Sequence, residues 1–305
     1  MTATGSDLVS VILPAFNAER FIVQAVRSAV EQTYAPIEII VIDDGSTDAT
    51  AELAKSVSPK VEVIRQANAG VFAARNAGAR HARGSFLSFL DADDWWERDK
   101  LAKQMAVFQR HPELAVVSAW GYEVDEDGRK LDRGLEKPPC PFDRVANIHR
   151  RLLRCGNCVP LSTSLVRRRA FDDAGGFYTR ERIVSADYEF WIRLSERHLF
   201  YLMSDTLGYY RVLRQSVLHG SPEKEYGAQL NILRMHRHRF NALSFRMRLS
   251  RLYRDWADSA IFEGHRDGWP IWRMALRQNP LNLSAWLLGA RVAAVRTLRR
   301  RWKVP

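Results

Sequence analysis

The stretch SFLSFLDADDWWERDKL, residues 85–101, runs an apolar segment, Phe86 to Leu90, straight into Asp91, Asp93 and Asp94. Carboxylates this close repel one another, so the cluster calls for a compensating positive charge. Three chemistries fit it. The acids could cap the helix expected over 99–111, because Asp favours helix N-termini. They could form a catalytic carboxylate pair. They could also hold a hard divalent cation, which takes oxygen ligands and offsets the repulsion. Capping explains one carboxylate well and the others poorly. The cation answers the charge problem best, because Mg2+ and Mn2+ are held by one or two carboxylates with phosphate oxygens completing the shell. VIDDGSTD, 41–48, makes a similar demand: Asp43 and Asp44 end an apolar run beside Gly45. A carboxylate at a strand end can accept hydrogen bonds from a nucleobase N–H or from ribose hydroxyls. A turn and an N-cap explain either aspartate alone equally well.

A second constellation is weaker. Cys155 and Cys158 have C-x2-C spacing, and with Cys140 and His149 they could complete a zinc site. The odd cysteine count, in a chain whose N-terminus MTATGSDLVSVILP has no signal-peptide pattern, argues against a disulfide framework. Reduced thiols in a loop-rich segment are the simpler reading.

Acidic clusters of this kind need a scaffold that brings strand ends together. LVSVILP (8–14), IEIIVID (37–43), VEVIRQ, SFLSFLD and LAVVSAWGYEV read as strands. Between them lie helical patterns, among them AERFIVQAVRSAVEQ, with Phe21, Ile22, Ala25, Val26, Ala29 and Val30 on one face. DGSTDATAELAKS opens a helix with Ser46 or Thr47 as the expected N-cap and Asp48 in the first turn. Strands alternating with short helices predict an α/β fold with a mainly parallel sheet covered on both faces. Ligands then bind beyond the carboxyl ends of the strands, so PAFN, DDGSTD and DADD are expected to converge on one site. Residues 125–185 are less regular. SADYEFWIRLSER returns to helix, LFYLMSDTLGYYRV reads as the last strands, and the pattern after Ser221 is helical. The expected division is a domain over 1–220 and a basic helical appendage over 221–305.

VSVILPAFNAERFIVQAVRSAVEQTYAPIEIIVIDDGSTDAT, NAGVFAARNAGARHARGSFLSFLDADDWW and GGFYTRERIVSADYEFWIRLSER together resemble the family 2 inverting glycosyltransferases of GT-A fold, over roughly residues 8–215. The resemblance implies a nucleotide-diphosphate sugar donor, a carbohydrate or lipid-linked acceptor, a divalent cation (Mn2+ or Mg2+) and inversion at the anomeric carbon. Carried onto this chain, it implies that Pro14, Phe16 and Asn17 wall the nucleotide pocket, with Phe16 near the base. Asp44 would bond the base edge, and Arg75 would lie near the base or diphosphate. Asp93 would ligate the metal, and Asp91 would partner the ribose or the metal. Asp187 takes the place of the catalytic base, although Ala186 stands where the family usually has Glu, which puts acceptor recognition or the tuning of Asp187 in question. His219 falls where some relatives carry a histidine near the metal or diphosphate; the match is loose, and a surface-loop histidine is the better reading.

A nucleotidyltransferase is the alternative enzyme class, but it usually has a Gly-rich basic phosphate loop after the first strand, and LPAFNAER is not one. A dehydrogenase would need G-x-G-x-x-G there. The net charge of +11 invites a polyanionic partner, and its distribution narrows the choice. From Leu281 onward Arg291, Arg296, Arg299, Arg300, Arg301 and Lys303 meet no acid, and Gln229–Arg254 adds seven arginines. Apolar residues interleaved with these bases fit an anionic membrane surface better than nucleic acid, for which aromatics are sparse and no motif is present. With no apolar run long enough to span a bilayer, the expected location is cytoplasmic, peripheral on the cytosolic face of the membrane.

Overall fold

The computed structural model describes residues 7–131, 142–180, 185–213, 222–262 and 268–290. Cys140 and His219 lie outside them. The chain divides into two compact units, one of Met1–Leu152 with Gly156–Leu213, the other of Leu153–Cys155 with Arg214–Pro305.

The first unit opens with β1 (Val9–Ala15), α1 (Ile22–Val30), β2 (Ile37–Asp43), α2 (Thr50–Ser56), β3 (Val61–Arg65), α3 (Val71–His81) and β4 (Phe86–Phe89). Every residue of β1 is buried, because helices cover both of its faces and a continuous apolar run is what such a position requires. α1 turns Ile22, Ala25, Val26 and Ala29 into the core at helical spacing. α3 lies close on β1, where Gly78 leaves no room for a side chain: a Cβ there would stand 2.4 Å from Cγ2 of Ile12. α2 starts later than the sequence suggests. Its N-cap is Ala49, without a side-chain cap, and neither Ser46 nor Thr47 plays that part. The Ser46 hydroxyl instead accepts the Asn17 N–H at 3.0 Å, and Asp48 Oδ1 accepts the Thr50 N–H at 3.0 Å. The polar residues are spent on joining two loops, and the helix begins where they end.

The remainder is β5 (Trp95–Trp96), α4 (Lys100–Arg110), β6 (Leu114–Val124), β7 (Val145–Ala146), α5 (His149–Cys155), β8 (Ser164–Arg167), α6 (Arg168–Asp173), α7 (Ala186–Ser195) and β9 (Leu199–Arg211). Among the described residues the strands form one sheet in the order β3-β2-β1-β4-β8-β6-β9-β5, with β7 paired to β9. β3, β2, β1 and β4 are parallel, β8 runs antiparallel between β4 and β6, and β6 and β9 are parallel. The sheet is thus parallel in its first half and mixed in its second. β8 lies inside the irregular stretch, where a four-residue strand carries too short a pattern to stand out. Since β2, β1 and β4 are parallel neighbours, their carboxyl ends emerge together, as expected for DDGSTD, PAFN and DADD.

The second unit contains α8 (Pro222–Met235), α9 (Ala242–Phe262), α10 (Gly268–Gln278) and a helical run over 283–290. Leu252, Ala257, Ala260, Ala275 and Ala285 are buried in it. Trp272 Nε1 donates to the Ala285 carbonyl at 2.7 Å, and Ser250 Oγ donates to the Ala275 carbonyl at 2.7 Å. No helix among the described residues is long and apolar enough to cross a membrane.

Candidate active site

The loop after β1 carries Phe16, which is 51 % exposed, and Asn17, which has a positive φ of 48°. Asn17 Oδ1 accepts the Thr47 N–H at 2.9 Å, so the β1 and β2 loops are laced together. Pro14 is buried in β1 behind them. Asp43 serves the turn: its Oδ1 accepts the Ser46 N–H at 2.9 Å and its Oδ2 faces Arg65 Nε at 2.8 Å. Asp44 anchors the β3–α3 loop. Its Oδ1 accepts Gln66 Nε2 at 2.6 Å and the Ala69 N–H at 3.0 Å, and its Oδ2 accepts the Gly70 N–H at 2.8 Å. An ionised carboxylate offers about four lone-pair sites, so these three bonds leave one for a ligand.

The acidic knot has two arginines as its compensating charges. Arg75, buried on α3 with its Cζ 4.8 Å from the Phe72 ring centroid, pairs through Nη2 with Asp91 Oδ1. Arg211 ends β9; its N–H donates to Asp94 Oδ1 at 3.0 Å and its Nε to the Asp93 carbonyl at 3.0 Å. The same guanidinium reaches the Glu126 carbonyl at 2.6 Å and Gln24 Oε1 at 2.8 Å, and stacks between Phe21 and Trp95. Arg211 therefore clamps the acidic turn to α1 and to the hairpin after β6. None of the three acids caps α4, since β5 intervenes and the N-cap is Asp99.

The two arginines offset the repulsion only in part. Burial, with Asp91 beside it, pushes the Asp93 carboxyl up to about 6, against the pull of Arg211 and Arg75. Asp94 is also raised, first by burial and then by Asp93 and Asp91, and the Arg211 N–H and the nearby Ser162 hydroxyl offset that rise only in part. Under-compensated carboxylate oxygens are what a hard cation takes as ligands, so these residues fit Mg2+ or Mn2+. Among the described residues no three His, Cys, Asp or Glu side chains are grouped to hold a metal without help, so phosphate oxygens would have to complete the shell. Among the described residues no zinc cluster forms: His149 Nδ1 lies 3.2 Å from the Ile192 carbonyl and 3.1 Å from Ser195 Oγ, Cys158 is buried and Cys155 exposed, and Cys140 lies outside them.

Asp187 stands in the first turn of α7, after Ser185 in the left-handed conformation. Part of its surface remains open, yet the protein packed around it is enough to raise its carboxyl; Asp91 adds to that rise and Arg75 opposes it. Arg75 thus touches Asp91 and acts on both Asp93 and Asp187, which brings residues 75, 91, 93 and 187 into one electrostatic unit. Asn157 Nδ2 donates to Asp187 Oδ2 at 3.0 Å. Beside the knot a cavity of about 150 Å³ is lined by Asp94, Trp120, Glu123, Ser162, Tyr209 and Tyr210. Sequence reasoning missed Arg211, Asn157 and this aromatic lining. A lone arginine at a strand end and an asparagine in a turn carry no spacing signal.

The family model described as "Glycosyl transferase family 2" matches residues 10–175, more than half of the chain. The chain belongs to glycosyl transferase family 2. Its relatives include the chondroitin synthase of Escherichia coli, 31 % identical over 62 % of this chain and 26 % of that protein. The fold of this family 2 chain matches a crystal structure of S. aureus TarS 1-349 in complex with UDP-GlcNAc, with a TM-score of 0.64 and 21 % identity over 88 % of this chain and 79 % of that one. It also matches the Pyrobaculum calidifontis mannosyltransferase PcManGT in complex with GDP-Man and Mn2+, with a TM-score of 0.59 and 17 % identity over 95 % and 86 %. The fold is therefore GT-A, and family membership removes the nucleotidyltransferase alternative. The chain spans about half the length, or less, of several curated relatives it matches.

Proposed function

We propose that this protein transfers a sugar, with inversion, from a nucleoside diphosphate sugar to an acceptor hydroxyl in polysaccharide or glycolipid assembly. The observation that carries the reading is the unit of Arg75, Asp91, Asp93 and Asp187 at the carboxyl ends of the parallel strands. Asp187 accepts the acceptor proton as the hydroxyl oxygen attacks the anomeric carbon, and burial raises its carboxyl above the ordinary carboxylate range, which strengthens it as a base. Phe16 presents an exposed ring to the donor base, backed by Pro14 and Asn17, and Asp44 keeps one acceptor site for the base edge. Asp93, with Asp91, would hold Mn2+ or Mg2+. That cation would supply the positive charge that stabilises a departing diphosphate. Arg75 balances Asp91 on the donor side and keeps Asp187 ionisable. The nucleotide-sugar complexes of TarS and PcManGT and the synthase relative support this reading.

The test is a panel of nucleotide sugars with Mn2+, scored for nucleoside diphosphate release by wild type and by Asp187→Asn. The amide keeps the shape but cannot take the proton. Transfer should therefore fall by a thousandfold or so, while calorimetric binding of the nucleoside diphosphate with Mn2+ stays as in wild type. Retained transfer with weakened nucleotide binding would move the base elsewhere.

A second reading concerns the second unit, where Leu281 is 90 %, Leu283 70 % and Leu287 61 % exposed. Exposed apolar side chains on a unit rich in arginine fit the surface of an anionic membrane, which would bring the transferase to a membrane-bound acceptor.

A further inference from the structure

Asn157 lies in CGNCVP, the turn after α5, behind Gly156 with its positive φ of 95°. Its Oδ1 accepts the Val159 N–H at 3.0 Å. An amide has one oxygen end and one nitrogen end, so this bond fixes the flip: a backbone donor occupies the oxygen and the nitrogen must face Asp187. The Nδ2 donor meets Oδ2 of that carboxylate at 3.0 Å. Trp191 of α7 donates Nε1 to the Val159 carbonyl at 3.0 Å, so the turn carrying Asn157 is bolted to the helix carrying Asp187. Ala186, just before the aspartate, is buried and apolar and offers it no polar group. The other groups acting on Asp187 are Arg75 from α3, Asp91 beyond β4, and N–H groups at the start of α7.

We propose that Asn157 is a positioning residue for transfer: its amide occupies Oδ2 of Asp187 and leaves Oδ1 as the oxygen that receives the acceptor proton. The inference rests on the reading of Asp187 as the base. The O–H bond of the acceptor breaks, its proton goes to Oδ1, the new C–O bond forms at the anomeric carbon, and the nucleoside diphosphate leaves with the bonding pair. The bond to Oδ2 adds to the N–H groups of α7 in holding the carboxylate plane, and it favours the ionised form.

Two variants test this, with the best donor of the panel at saturation and with nucleoside diphosphate binding measured beside turnover. Asn157→Ala removes the donor, and kcat should fall about tenfold at unchanged donor KM, because a loosened base loses orientation. Asn157→Asp keeps an oxygen for the Val159 N–H, so the turn should hold, but sets a second carboxylate against Oδ2. The two carboxylates then share a proton, and kcat should fall further and recover in part as pH rises. That recovery is absent from the alanine variant and would not arise from a purely structural role. Wild-type kcat across pH in both variants, or a loss confined to donor KM and nucleotide binding, overturns the proposal. If Asp187→Asn itself keeps transfer, the base reading has failed. If it is inactive while both Asn157 variants run as wild type, only the positioning role has failed.

Discussion

At the scale of single residues, the site is a balance of carboxylates against two arginines that falls short on the positive side. Asp93 shows the consequence. Its folded value of about 6 lies above its unfolded value of 3.8, so the folded protein holds this proton more tightly than the unfolded chain. The cation-free fold therefore gains stability from this group as pH falls through 6 toward 4 and loses it as pH rises. In excess chelator at pH 7.5, Asp93→Asn should raise stability by about 1–2 kcal/mol, discounted for partial exposure, an increase in Tm of a few degrees that shrinks by pH 5. The same variant should lose transfer, and the stabilisation that Mn2+ with a nucleoside diphosphate gives wild type should disappear. A variant with wild-type Tm in chelator at both pH values and a normal Mn2+ response would remove Asp93 from the metal role. The acid cluster itself was legible, since DADD after an apolar run poses the charge question unaided. The answer was not, because Arg75 stands 16 positions away from Asp91 and Arg211 stands 117 away from Asp94.

At the scale of elements, close approach of α3 to β1 sets where Arg75 stands. Gly78 is one helical turn beyond it, and Gly78→Ala would force its new methyl against Ile12 in the centre of the sheet. We expect about 1–3 kcal/mol of destabilisation in urea unfolding, with activity falling as α3 backs away and Arg75 leaves Asp91. Near-wild-type stability would mean that the helix can slide without cost. A second element shows where pattern reading stops. Lys100 begins α4, yet it is fully buried, with Nζ 3.0 Å from Ser88 Oγ and 2.9 Å from Gln104 Oε1 and lying 3.8 Å over the Trp96 ring. Burial alone drives its ammonium well below its ordinary range. Periodicity marks a lysine as solvent-facing; only packing of α4 under β4 reverses that.

At the scale of the whole molecule, the chain joins a GT-A unit to a basic helical one, and the membrane reading belongs to their combination. Each base near an anionic surface contributes roughly 1 kcal/mol, so the run from Arg291 to Lys303 would give reversible attachment. Full-length protein should co-sediment with phosphatidylserine vesicles at low salt and be released as salt rises. Truncation after Pro280 should abolish sedimentation and spare nucleotide-sugar hydrolysis. No binding at low salt, or equal binding to an oligonucleotide, would end the membrane reading. The alternation of apolar strands with amphipathic helices determined the parallel half of the sheet, because period and burial are properties of neighbouring residues. It also determined that PAFN, DDGSTD and DADD share one end, because parallel strands point the same way. The antiparallel insertion of β8, the Arg211 clamp and the contact of Asn157 with Asp187 were decided only by tertiary structure. Each joins residues far apart in sequence, and nothing local in either partner encodes the distance between them.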